Sequence, residues 1–144
     1  MKLNIQILLF LFSVCTFAQD WKETYAEALT SSMDQNKPII LVFAGSDWCA
    51  PCMKLERSIW QSEEFKNYSE ENYILYKADF PRKKANQLAA DLKEQNAQLA
   101  DRFNSKGFFP LVVVLSPEEK VLGQMGYKKD TPKDYISLLN NCLK

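Results

Sequence analysis

The amino-acid sequence predicts a single α/β domain in which a mixed sheet of four to five strands is flanked by helices. Helical and strand-like patterns alternate along the chain, in the order helix, strand, helix, strand, helix, strand pair and helix. Residues 39–43 and 111–115 are continuous apolar runs rich in β-branched side chains, which is typical of strands buried on both faces. The length of 144 residues suits one domain and is sufficient to bury a core.

The first helix is predicted to begin at a capping box that runs from Asp20 to Glu23. Asn36-Lys37-Pro38 ends this helix, residues 39–43 form the first strand, and residues 50–60 form the second helix. The first helix carries one apolar stripe at helical spacing: Trp21, Tyr25, Leu29 and Met33.

In the second half, Ser62 is predicted to cap a short helix, and residues 73–76 form the second strand. Two strands at 111–115 and 121–125 make a pair, and Thr131 with Pro132 begins the last helix. The longest helix is predicted over residues 86–104, with a core-facing stripe: Leu88, Leu92, Leu99 and Phe103.

Residues 1–18 have the pattern of a secretory signal peptide that is cleaved after Ala18. Cleavage would leave a domain over residues 19–144 in the periplasm or outside the cell, where disulfides persist, and without a membrane span. A retained N-terminal anchor and a lipoprotein acylated on Cys15 are the alternatives. The bulky Val14 argues against the lipoprotein.

The charged residues exclude several functions. With 18 basic, 18 acidic and no histidine side chains, the chain has no charge footprint for nucleic acid or an anionic membrane surface. A Cys-His or Ser-His catalytic pair and a histidine-based metal site are impossible within this chain. Arg82-Lys83-Lys84 is a short basic patch, predicted to be a solvated turn, with the steering of acidic partners as the alternative.

The segment Trp48-Cys49-Ala50-Pro51-Cys52 lies where a buried strand leads into a helix. If Cys49 is the N-cap, its sulfur faces the unpaired N–H groups of the first turn, and the helix dipole lowers its thiol pKa from the free value of about 8.5. Cys52 shares a helix face with Leu55 and Ile59, so we expect Cys52 to be shielded and Cys49 to be exposed. An attacking thiolate and a resolving thiol are what thiol–disulfide exchange requires.

Two other interpretations of Cys49 and Cys52 are open. They could be half of a zinc site, but such a site needs four ligands and Cys142 adds only a third. They could form a structural disulfide, although so short a loop restricts the unfolded chain little. The strand-to-helix context favours a redox motif. Cys142 lies on the apolar face of the last helix and is expected to be a buried small side chain.

Three further segments accompany this motif: Lys77-Ala78-Asp79-Phe80-Pro81, Gly107-Phe108-Phe109-Pro110 and Gly126. With them, the chain from about Asp20 to Leu143 resembles the thioredoxin family. Within that family it is similar to the secreted branch that resembles the C-terminal domain of the periplasmic thiol:disulfide interchange reductase. The resemblance implies a thioredoxin fold and a redox-active Cys49–Cys52 disulfide that needs no bound cofactor and no metal.

The resemblance also implies a cis peptide bond between Phe109 and Pro110, beside the disulfide. Trp48, Phe109 and Pro110 are then the substrate-binding surface, where an extended substrate segment pairs with the backbone before the proline. Gly126 would let a neighbouring strand approach closely. Phe108 is expected to pack in the core.

The sequence departs from the family in the residues that tune the chemistry. Phe43 stands where the family has a buried aspartate that assists the second cysteine, although Lys77 matches the lysine that partners this acid. Glu56 or Asp79 could replace it, but each is more simply a solvated carboxylate. Leu111 replaces the threonine usual after the cis-proline.

Together these features predict a monomeric thiol–disulfide oxidoreductase that acts on protein disulfides, with Cys49 and Cys52 as catalytic residues. Pro51 stands where oxidases and isomerases of the superfamily usually carry histidine, which favours reduction. A reductase of this kind needs an upstream electron donor, which we expect to be a membrane protein. A thiol oxidase or isomerase of the same fold and a non-catalytic protein-interaction module are the alternatives.

Overall fold

The computed structural model describes residues 19–144. Its strands are β1 (Trp21–Lys22), β2 (Ile39–Ala44), β3 (Ile74–Asp79), β4 (Leu111–Leu115) and β5 (Val121–Met125). Its helices are α1 (Tyr25–Gln35), α2 (Ala50–Leu55), α3 (Glu63–Asn72), α4 (Ala90–Phe103) and α5 (Pro132–Asn141). The predicted signal peptide, with Cys15 and the cleavage site after Ala18, lies outside the described residues.

The strands form one mixed sheet in the order β1-β3-β2-β4-β5, which confirms the predicted fold class. β1, β3 and β2 are parallel, whereas β4 is antiparallel to β2 and β5 is antiparallel to β4. β2 pairs with β3 along its whole length, from Ile39 opposite Ile74 to Ala44 opposite Asp79. The loops that follow Ala44 and Asp79 therefore leave the sheet side by side, at the carboxyl ends of β2 and β3.

Side chains of the central strand β2 alternate between two core layers, as the period of two residues requires. Ile39, Leu41 and Phe43 pack in the layer that contains side chains of α1 and α4. Ile40, Val42 and Ala44 pack in the other layer, with side chains of α2, α3 and α5. Burial on both faces explains why β2 and β4 are apolar at every position.

The start of the first helix differs from the prediction. The capping box is formed by Thr24 and Glu27, because Trp21 pairs with Leu75 in the parallel β1–β3 ladder and cannot be helical. Helix α1 therefore begins at Tyr25, and Met33, the last residue of the predicted apolar stripe, is 56% exposed.

The other helix termini follow the sequence more closely. Ser62 and Thr131 cap α3 and α5 as predicted. The longest helix begins at Ala90 rather than residue 86, after a separate 3₁₀ turn at Lys84–Asn86. Helix α2 continues through a π turn at Glu56–Trp60, where the N–H of Gln61 donates to the carbonyl of Glu56 at 2.9 Å. Among residues 19–144, none of the helices combines the length and the apolar character needed to cross a bilayer.

Candidate functional site

The two cysteines of the sequence motif form a disulfide at the start of α2, on the edge where β2 ends. Cys49 is the N-cap of α2, as predicted, and its sulfur accepts the N–H of Cys52 at 3.2 Å. Pro51 lies in the first turn, where a missing N–H removes no helical hydrogen bond. The sulfur of Cys49 therefore faces the end of the helix whose dipole stabilises negative charge.

The predicted difference in exposure between the two cysteines is wrong for this disulfide form. Cys49 is 4% exposed and Cys52 is 5% exposed, and both belong to the α2–α3–α5 core layer. Trp48 and Phe109 are partly buried and pack against the same layer. Asymmetry between the two sulfurs therefore comes from their positions on the helix rather than from exposure.

The predicted substrate-binding residues meet beside the disulfide. The Phe109–Pro110 bond is cis, as the resemblance implies, and Pro110 is buried. The rings of Trp48 and Phe109 are in edge contact, with 5.3 Å between their centroids. The indole N–H of Trp48 donates to the carbonyl of Phe80 at 2.7 Å. A Cβ atom at Gly45 would lie 2.2 Å from the indole, so glycine is required beneath this ring.

Two expectations around the cis bond are wrong. Phe108 is 58% exposed rather than packed in the core. Its backbone is held instead by Asn104, whose amide accepts the N–H of Phe108 at 2.9 Å and donates to its carbonyl at 2.8 Å. Gly126 is not required for a close approach, because an added Cβ would lie in ordinary contact, 3.5 Å from the carbonyl oxygen of Pro110. The buried Asn104, which no sequence motif marks, thus positions the segment before the proline.

An ion pair lies beside Cys52. The carboxylate of Glu56 is 2.6 Å from the ammonium of Lys77, and both side chains border a cavity of about 220 Å³ that Cys52 also lines. Glu56 is therefore not the freely solvated carboxylate that was expected. The pair forms because Glu56, the first residue of the π turn that continues α2, lies one turn beyond Cys52, and Lys77 projects from β3 into the same layer.

Phe43 does not face the disulfide. Its ring stacks on Phe80 in the opposite core layer. Asp79, the other candidate acid, accepts hydrogen bonds from the backbone N–H and hydroxyl of Ser46. Its carboxylate therefore fixes the loop that leads to the cysteines.

Asp47 organises the segment after β3. Its carboxylate accepts the backbone N–H groups of Arg82 and Lys83 at 2.9 Å each, and the side-chain amide of Asn86 at 3.0 Å. The hydrogen bond from Arg82, followed by those from Asn86 and Lys83, lowers the pKa of Asp47 below its usual value. With its backbone held in this way, Arg82 places its guanidinium 3.8 Å from the centroid of the Trp48 ring. Asp47 thus holds the backbone of two residues of the basic patch, and one of them, Arg82, lies at the site.

Cys142 lies in a different chemical environment from Cys49 and Cys52. It is half-buried, its thiol donates to the carbonyl of Leu138 at 3.5 Å, and burial raises its pKa. A Cβ at Gly123 would lie 2.4 Å from the Cys142 sulfur, which shows how closely the thiol packs on β5. Within residues 19–144, the Cys, Asp and Glu side chains form no group of three or more that could hold a metal ion.

A five-stranded mixed sheet with a CXXC disulfide at a helix N-terminus, beside a cis-proline, defines the class of thioredoxin-fold proteins with a redox-type disulfide. A family model described as thioredoxin-like matches residues 20–117. The chain belongs to this thioredoxin-like family.

Individual relatives show which members of the thioredoxin-like family this chain resembles. The disulfide bond reductase DsbH of Chlamydia pneumoniae is 37% identical over 122 residues, which cover 85% of this chain and 72% of that protein. A solved structure of a DsbH oxidoreductase matches with a TM-score of 0.82 at 31% identity, over 97% of this chain and 94% of the other. The oxidised C-terminal domain of Neisseria meningitidis DsbD shares the fold, with a TM-score of 0.55 at 18% identity over 81% and 90% of the two chains. The chain is thus similar to DsbH-type thiol–disulfide oxidoreductases.

Proposed function

We propose that this chain is an exported thiol–disulfide oxidoreductase that reduces protein disulfides through Cys49 and Cys52. The observation that carries the proposal is the N-cap position of Cys49, whose sulfur accepts the N–H of Cys52 at the positive end of α2. After reduction, the same position stabilises a thiolate. The similarity to a disulfide bond reductase supports the direction of the reaction.

The reaction proceeds by two exchanges and moves two electrons to the substrate. The Cys49 thiolate attacks one sulfur of a substrate disulfide, forms a mixed disulfide and releases the other substrate sulfur as a thiolate. The Cys52 thiol then loses its proton and attacks the Cys49 sulfur, which releases the second substrate thiolate. The protein is left with the Cys49–Cys52 disulfide and must be reduced by a dithiol donor, which we propose is a membrane protein.

The residues around the disulfide have distinct roles in this proposal. Trp48, Phe109 and Pro110 form the apolar surface on which an extended substrate segment lies, with its backbone along residues 108–110; Pro110 is largely buried but lines the same pocket as Phe109. Glu56 faces the same cavity as Cys52, so its carboxylate is placed to take the proton that the resolving thiol loses. Lys77 holds that carboxylate in position.

Location and processing belong to the same proposal. Residues 1–18 are removed as a signal peptide, and residues 19–144 act as a monomer in the periplasm or outside the cell. An exported reductase works where disulfides form readily, so a dedicated electron donor is essential to it.

The reduction potential of the exported chain tests the proposal. It can be measured in glutathione and dithiothreitol buffers, with Trp48 fluorescence reporting the state of the disulfide beside it. A value near the thioredoxin end, about −270 mV, is expected for a reductase. A value near about −120 mV would identify a thiol oxidant instead. No reversible transition would favour a non-catalytic interaction module.

A further inference from the structure

Arg82 is a charged side chain that the exchange chemistry does not use, although it lies at the site. Its guanidinium stacks on Trp48, one residue before the proposed nucleophile, with 3.8 Å between the charged carbon and the ring centroid. The backbone of Arg82 is anchored by Asp47, so the side chain starts from a fixed point. Stacking and anchoring together hold the guanidinium in one place at low conformational cost.

The guanidinium has unused hydrogen-bonding capacity. Within residues 19–144, the Arg82 side chain makes no ion pair and donates no hydrogen bond, although a guanidinium carries five N–H donors. Two acids of the adjoining segments have other partners, because Asp47 accepts three N–H groups and Asp79 accepts from Ser46. Lys83 and Lys84 follow and add positive charge.

Arg82 also borders an open pocket that includes Trp48, the residue before Cys49. The other walls are the rings of Trp48, Phe80 and Phe109, with Gly107 at one side. Phe109 also lines a second pocket, in which Pro51, Met125 and Tyr127 supply apolar and aromatic walls. The first pocket thus differs from the second by a cation that, within residues 19–144, makes no ion pair and donates no side-chain hydrogen bond.

We propose that Arg82 determines substrate preference by binding an acidic side chain that lies close to the reactive cysteine of the substrate. This inference rests on the proposed function. The planar fork of a guanidinium matches a carboxylate with two parallel hydrogen bonds, and stacking on Trp48 leaves its edge available. The methylene groups of a glutamate would pack on the aromatic walls. The preferred substrate is therefore an extended segment with an acidic residue on one side of its cysteine.

Matched peptide disulfides test the assignment on the reduced full chain. Each peptide contains one disulfide and a single glutamate. The glutamate is placed at one of three positions on either side of the cysteine that Cys49 attacks. A matched peptide carries glutamine at the same position. Rates are measured by stopped-flow Trp48 fluorescence. Each is divided by the rate of the same peptide with dithiothreitol, because a nearby carboxylate itself alters the leaving thiol. At one position the glutamate peptide is expected to react about fivefold faster, the upper range for an exposed ion pair.

Three variants separate a specific contact from diffuse charge. Arg82→Gln is expected to bring the ratio of glutamate to glutamine rates to about one, and Arg82→Lys to lower it partly, since lysine lacks the planar fork. Lys84→Gln, a charge change two residues away on the same segment, is the matched control and is expected to keep the ratio.

The outcomes are distinguishable from failure of the proposed function. If the wild-type chain reduces every peptide with a ratio near one, the role of Arg82 is overturned and the reductase proposal stands. A ratio that Lys84→Gln lowers as much as Arg82→Gln also overturns it, because the preference would then belong to the whole patch. If no peptide is reduced, the proposed function itself fails.

Discussion

Cys49 and Cys142 are the same residue type at opposite ends of two helices. Cys49 precedes the first turn of α2, where its sulfur accepts a backbone N–H. Cys142 follows the last turn of α5, where its thiol donates to a backbone carbonyl. The first position favours a thiolate, whereas the second favours a neutral thiol, which burial reinforces by raising the pKa of Cys142. Helix polarity thus predicts greater reactivity for Cys49 than for Cys142.

The largest effect on activity is expected from removing the sulfur of Cys49, and no effect from removing that of Cys142. Cys49→Ser should lower the rate of insulin disulfide reduction to the background rate, because no nucleophile remains to form the mixed disulfide. Cys142→Ser should keep the wild-type rate, since its sulfur lies against β5 rather than at the site. A comparable loss of activity in both variants would break the contrast between the two cysteines.

Alkylation of the reduced chain measures the contrast directly. With iodoacetamide at pH 7, Cys49 is expected to react about tenfold faster than Cys142 or more, because a lowered thiol pKa yields a larger thiolate fraction. Reaction at Cys142 should become appreciable only at higher pH, because its raised pKa keeps the thiol protonated through neutral pH. Mass spectrometry of the modified peptides follows the two sites separately. Equal rates across this pH range would show that helix position does not set thiol reactivity here.

Glu56→Gln tests the resolving step, which has no counterpart at Cys142. Turnover is expected to fall by about tenfold, less than the ~10²- to 10⁴-fold typical of general acid–base catalysis, because the ion pair is partly exposed and solvent can also take the proton. The mixed disulfide should accumulate and be detectable after acid trapping. Glu64→Gln, an exposed carboxylate in the first turn of α3, is the matched control. An unchanged rate in Glu56→Gln would exclude this role for the ion pair.

The smallest effect on redox chemistry is expected from the packing of Cys142. Gly123→Ala would place a Cβ 2.4 Å from the Cys142 sulfur and 2.8 Å from its Cβ, so the last turn must shift. Overpacking of this kind costs about 1 to 3 kcal/mol, which urea denaturation would show as a lower midpoint, while the reduction potential stays unchanged. Gly126→Ala, with only ordinary contact to Pro110, should have little effect on stability. Loss of redox function in Gly123→Ala would contradict a purely structural role for Cys142.

The sequence was sufficient for features that depend on local patterns. Continuous apolar runs predicted β2 and β4, since a strand buried on both faces has no polar positions. The caps at Ser62 and Thr131 and the N-cap position of Cys49 follow from side chains that bond within one turn.

Features set by pairing between distant segments were missed. The predicted capping box at Asp20 is wrong because the ladder between Trp21 and Leu75 has no local pattern. The predicted solvation of Glu56 is wrong because its contact with Lys77 depends on how the helix lies over β3. The exposure of Phe108 likewise depends on Asn104, which holds its backbone from the end of α4.

The π turn at Glu56–Trp60 lies between two parts of one continuous helix: the first turn, which orients the sulfurs, and the last turn, which orients Ile59 and Trp60. A regular helix rotates by about 100° per residue, so its N-terminal geometry would dictate which way every later side chain points. One additional residue in a turn resets that phase, as a one-residue insertion absorbed without a break would do. Ile59 and Trp60, at the end of this turn, are both buried. The π turn thus sets the direction of the Trp60 side chain separately from that of the sulfurs, although all three residues pack in the same core layer.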